Sequence, residues 1–131
     1  AHTGDGKVLY LAVTRDNCVW RVPLLADGSV AKVSQFFTSY GPSGPDGLAI
    51  DVQGRVLVAN PGLGYVWVLN PRAEPVMVLR GPAGASTTNI AFGGPERRTL
   101  FVTDSTHGNV LTYTLDTPGV VLHGSPPASA G

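Results

Sequence analysis

The chain has 131 residues, with nine Lys and Arg against nine Asp and Glu, and only 14% of its residues are charged. That balance, with no basic stripe, argues against a nucleic-acid partner. No apolar run approaches the ~20 residues that span a bilayer, so no membrane partner is expected. Cys18 stands alone, which excludes an internal disulfide and leaves it as a small packed residue.

In chain order, strands are expected over residues 8–13, 18–22 and 30–37. A second set follows at 48–51, 55–60, 65–70 and 76–80, and a third at 89–92, 99–104 and 110–115 with a short outer strand at 120–123. Asp5-Gly6, Asp27-Gly28, Gln53-Gly54 and Asn70-Pro71 mark turns between them. The chain's 17 Gly and 11 Pro are spaced so that no window holds a long helix. Residues 8–13 are apolar throughout rather than alternating, as expected of a strand covered on both faces.

These elements repeat. Leu9-Tyr10-Leu11-Ala12, Val56-Leu57-Val58-Ala59 and Leu100-Phe101-Val102-Thr103 overlay with steps of 47 and 44 residues. Each is followed at equal distance by a second apolar segment, Val19-Trp20-Arg21-Val22, Val66-Trp67-Val68-Leu69 or Val110-Leu111-Thr112-Tyr113. A period near 45 with several short strands per unit signals an all-β propeller. Its blades are expected at about 1–40, 41–84 and 85–123, with a flexible tail at 124–131. The first blade lacks its inner strand, so the chain reads as three blades, half of a six-bladed ring. Half a ring bares two apolar blade faces, which calls for a missing N-terminal half or a second copy as partner.

In a propeller the inner strand of each blade lines the channel and its neighbour runs antiparallel to it. One mouth therefore gathers residues 14–17, 41–47, 60–64, 84–89 and 104–108, while 5–6, 51–54 and 70–74 face the other way. Asp46 falls at the mouth and Asp51 does not. A carboxylate there can bind a hard cation or act as a base, or it can simply serve a turn, as Asp-Gly pairs do. Leu48-Ala49-Ile50 overlays Ile90-Ala91-Phe92, so Thr88 takes the place of Asp46, and Asn89 that of Gly47. Thr88 and Asn89 either hydrogen-bond substrate hydroxyls or satisfy local backbone groups. Asn60 and Asp104, ending their strands at the mouth, either rim the pocket or cap the following turn. His107 reads as an exposed loop residue, and Trp20 and Trp67 as packing between blades. His2, His107 and His123 have no spacing that assembles a zinc site.

The order of motifs resembles a known family. Gly-Pro-Asp-Gly-Leu-Ala-Ile-Asp at 44–51, Arg-Val-Leu-Val-Ala-Asn at 55–60, Gly-Tyr-Val-Trp-Val-Leu-Asn-Pro at 64–71, and Thr-Asn-Ile-Ala-Phe-Gly-Gly-Pro-Glu at 88–96 running into residues 99–103 carry the likeness. Over about residues 4–115 they are similar to the C-terminal half of the regucalcin/gluconolactonase/luciferin-regenerating-enzyme family. The resemblance implies a six-bladed propeller with one divalent cation on its axis, calcium foremost and zinc, magnesium or manganese as alternatives. It also implies hydrolysis of a small-molecule lactone. In that family a Glu, an Asn and the Asp of the Pro-Asp-Gly element hold the metal. Only the last maps here, onto Asp46, which also takes the role of proton acceptor. The Glu has no counterpart in this chain, and the Asn would precede Ala1. Two other readings stand beside this one, a non-catalytic propeller that binds a ligand at its mouth and a half-ring that closes on a second copy.

Overall fold

The computed structural model describes residues 1–125 and consists of three antiparallel sheets, with no α-helix among those residues. The first sheet is β1 (Val8–Val13), β2 (Cys18–Pro23) and β3 (Ser34–Thr38). The second is β4 (Leu48–Ile50), β5 (Val56–Asn60), β6 (Tyr65–Leu69) and β7 (Pro75–Arg80). The third is β8 (Thr87–Gly93), β9 (Thr99–Asp104) and β10 (Asn109–Thr114). Strands pair in sequence order within each sheet, the up-and-down meander of a propeller blade. The tail expected at 124–131 lies mostly outside the described residues.

The blades stack through two apolar seams. Tyr10 and Val19 of the first sheet meet Ile50, Val56, Val58 and Leu69 of the second. On the other face of the second sheet, Leu57, Ala59, Val66 and Val68 meet Ile90, Leu100 and Val102 of the third. Residues 56–59 of β5 are therefore fully buried on both faces, which explains their unbroken apolar run. The same reading does not hold for β1. Tyr10 is buried, but Leu11 is 42% exposed and its cross-strand partner Trp20 is 39% exposed, because nothing among the described residues covers that face. Phe101 and Val110 are exposed in the same way on the outer face of the third sheet.

No named inner strand precedes β1, but Ala1–Thr3 lie along it. The Ala1 and Tyr10 backbones exchange hydrogen bonds, and the Thr3 amide donates to the Val8 carbonyl at 2.9 Å. The short outer strand expected at 120–123 does not form. After β10 the chain crosses instead to the inner edge of the second sheet, where Gly119 bridges Asp51 and the Val120 amide donates to the Ile50 carbonyl at 3.1 Å. The Arg97 guanidinium holds the crossing by donating to the Gly119 carbonyl at 3.1 Å. Pro118 helps to set this path, since it has no amide to give a strand partner while its carbonyl accepts from Val52.

Candidate functional site

The inner strands β4 and β8 line a cleft of about 780 Å³ with Leu48, Ala49, Ile50, Ile90, Ala91 and Phe92. Gly94, Pro95, Arg97 and Val120 close it at the far end, and Asp46 lies outside its lining. The strand wall of the cleft is thus apolar, Ala1, His2, Arg97 and Ser125 add polar groups to its lining, and the starts of β4 and β8 at Asp46 and Thr88 lie outside it.

Both inner strands begin with the same irregularity. The Asp46 amide donates to the Ala59 carbonyl and the Ala59 amide donates to the Gly47 carbonyl, each at 2.9 Å, so two residues of one strand oppose one of the other. In the third sheet, Thr87 pairs with Asp104 and Ile90 with Val102, which leaves Thr88 and Asn89 to share Thr103. These are β-bulges, which re-aim side chains and frequently border active sites. They join the two blades directly. Gly47, with its amide freed from the ladder, donates to the Thr88 carbonyl at 2.8 Å. The join also dictates glycine at 47, because a Cβ there would stand 2.5 Å from Asn89 Oδ1 and 2.7 Å from Asn89 Cα. The structure therefore brings Asp46, Thr88 and Asn89 together at one rim.

Their side chains differ in how fully they are used. Thr88 is half-buried, with its hydroxyl 2.7 Å from that of Thr103. Asn89 is exposed, and its Oδ1 accepts from the Ile90 amide at 2.9 Å. Asp46 is exposed, and among the described residues no donor reaches its carboxylate. That separates it from the carboxylates that do serve turns. Asp5 accepts from the Thr3 hydroxyl and the Lys7 amide, and Asp27 from the Ser29 hydroxyl and amide. These hydroxyl bonds are the main reason both carboxyls lie below the usual range. On the opposite face, Asp51 is buried, accepts from the Gln53 and Arg55 amides, and pairs with Arg55 Nε at 2.6 Å.

Asn60, expected at the pocket rim, is instead fully buried behind it, and neither side-chain atom has a partner among the described residues. As placed, it cannot touch a substrate. Sequence position put it at the right end of β5 but could not show that its side chain is enclosed. Its counterpart Asp104 is buried as well, and fully engaged. Its Oδ1 accepts from the Ser86 amide at 3.0 Å and the Thr106 amide at 3.1 Å, and its Oδ2 lies 2.5 Å from His107 Nδ1. The Ser86 bond contributes most to holding this carboxyl below its usual range, with His107 adding to it and desolvation opposing. Asp104 is thus a cap for its turn, and His107 is tied to it. Thr103 escaped sequence reasoning altogether, although its place opposite two inner-strand residues would have marked it had the bulge been foreseen.

A calcium ion takes ~6–8 oxygen ligands. Among the described residues no three His, Cys, Asp or Glu side chains gather to hold a metal. The unengaged Asp46 carboxylate suits one ligand position, and the described residues add no cluster of further carboxylates, imidazoles or thiolates to it.

Residues 1–106 match the family profile described as the SMP-30/Gluconolactonase/LRE-like region. Lactonase drp35 of Staphylococcus saprophyticus is 35% identical over 77 residues, which are 55% of this chain and 23% of that protein. The crystal structure of regucalcin, a calcium-binding protein of Agrobacterium tumefaciens, superposes with a TM-score of 0.78 at 27% identity, over 90% of this chain and 45% of that one. A luciferin-regenerating enzyme superposes with a TM-score of 0.76 over 90% of this chain and 45% of that one, and at 22% identity shows the fold alone. The chain spans less than half the length of each of these relatives.

Proposed function

This chain belongs to the SMP-30/gluconolactonase/LRE-like family, and from that premise we propose that it supplies part of a lactone hydrolase in which Asp46 is the working carboxylate. The observation that carries this reading is the idle state of Asp46. It stands at the bulged start of an inner strand, while the carboxylates of Asp5, Asp27, Asp51 and Asp104 are all occupied by local donors; Asp16 and Asp116 also lack donors among the described residues, but neither begins an inner strand.

Asp46 takes a proton from the attacking water, whose oxygen bonds to the lactone carbonyl carbon. The acyl C–O bond of the ring then breaks, and the leaving alkoxide recovers the proton to give the hydroxy acid. Thr88 and Asn89, on the adjoining bulge, orient the substrate hydroxyls. A divalent cation, with calcium the first candidate and zinc, magnesium or manganese next, would polarise the carbonyl when bound, and Asp46 is the residue of this chain that would hold it. The calcium-binding regucalcin and the drp35 lactonase support this assignment by likeness.

The exposed Leu11 and Trp20 on one outer face, and Phe101 and Val110 on the other, favour coverage by further blades. Those blades belong either to the rest of a longer polypeptide or to a second copy of this chain, and two copies would set two Asp46 carboxylates across one channel. A propeller that only binds a ligand at its mouth keeps the same geometry without turnover.

A lactone panel, with each cation added in turn, tests the reading on the complete ring and on this chain alone. Asp46→Asn in the complete ring should lower turnover at least ~100-fold, the contribution of a positioned base, without moving the thermal midpoint. Unchanged turnover rejects the assignment, and turnover by this chain alone favours the second-copy ring.

A further inference from the structure

The two bulges are closed by different chemistry. At the central blade the residue opposite the bulge is Ala59, which offers only its backbone. At the third blade it is Thr103, and its hydroxyl does what the interrupted ladder cannot. It lies 2.7 Å from the Thr88 hydroxyl, accepts from the Asn89 amide at 2.9 Å, and reaches the Asn89 carbonyl at 3.3 Å. One side chain thus grips both bulged residues. Thr88 passes that grip across the seam through its carbonyl, which accepts from Gly47, and Asn89 packs where a Cβ of residue 47 would be.

We propose that Thr103 is a positioning residue, a hydroxyl clasp that fixes Thr88 and Asn89 and, through them, the Gly47 seat of Asp46. Its effect on substrate rests on the lactonase reading above; its effect on the bulge does not. Thr103 side-chain bonds replace ladder bonds that a regular strand would make, so their loss frees the Asn89 amide and carbonyl at the rim, and Gly47 feels it through Thr88. Thr103 is exposed, so losing the hydroxyl does not open a core cavity.

The test compares Thr103→Val, which keeps the shape and removes the hydroxyl, with Thr103→Ser, which keeps the hydroxyl. In the intact protein, amide exchange at Asn89 and Gly47 should quicken roughly tenfold in the Val variant and return to the parent rate in the Ser variant. With a lactone substrate, KM should rise roughly tenfold for Val as Thr88 and Asn89 loosen, and kcat should fall as the seat of Asp46 loosens, with Ser restoring both. Equal exchange rates in the parent and Val proteins would overturn the clasp. Faster exchange with an unchanged KM would overturn its role toward substrate. If the parent protein turned over no lactone, the functional reading would fall while exchange alone decided the clasp.

Discussion

At the mouth of the third blade the polar groups at the end of β9 are occupied: Thr103 closes the bulge, and Asp104 gathers three backbone amides and a histidine ring. At the matching end of β5 in the central blade, Ala59 offers only backbone, Asn60 is buried with both side-chain atoms unpartnered, and Asp46 stands free. Ser43, three residues before Asp46, also buries an unpartnered hydroxyl. The two blades share a backbone path but not its use. One is tied down by side chains, and the other leaves Asp46 free at the rim and, among the described residues, Asn60 and Ser43 unpartnered behind it. A buried polar atom without a partner costs ~1–3 kcal/mol, so the central blade gives up stability where the third gains it.

The seat of Asp46 is the place to break this contrast most severely. Gly47→Ala drives a methyl group into the Asn89 backbone, which cannot yield as a flexible side chain would. The expected cost is about 1–3 kcal/mol, read as a lowered midpoint in thermal or denaturant unfolding. A parent-like midpoint would show that the seam between the two bulges is slack.

Asp104→Asn should weaken the third blade through pH. The Asp104 carboxyl is held below the ordinary carboxylate value of 3.8, so its contribution is complete above that value and is lost as pH falls through the lower folded value. The parent should therefore lose stability steeply below about pH 4, and the Asn variant should show a shallower acid limb, measured as midpoint against pH. Identical acid limbs would remove Asp104 from the stability of that turn.

Asn60→Leu gives the smallest effect and has the opposite sign. Replacing an unpartnered buried amide with an apolar group of similar volume should raise stability by about 1 kcal/mol, a few degrees in midpoint. A fall of that size would mean that an ordered water partners Asn60, and the contrast between the blades would narrow.

Most strand positions and the three-blade repeat were legible in the sequence because each rests on local pattern; the strand expected at 30–37 begins only at Ser34, and that at 120–123 does not form. Apolar runs of five or six residues, turn pairs and a period near 45 are all written within a single unit. The place of Asp46 just before an inner strand followed from that repeat alone. The resemblance carried by Pro-Asp-Gly and Thr-Asn-Ile-Ala-Phe-Gly-Gly led to the same family that the profile match identifies. Tertiary structure decided the rest, because it depends on what lies across a seam. Asp27 and Asp46 both precede glycine, yet one is bonded by Ser29 two residues on and the other by nothing among the described residues. Asn60 and Asp104 hold equivalent places, yet their loops close over them differently. The route of residues 116–120 to the inner edge is set by Asp51, Ile50 and Arg97, all distant in sequence. Local periodicity thus fixed where the strands run, while contacts between strands far apart in the chain fixed that Asp104 is engaged and Asp46 is not.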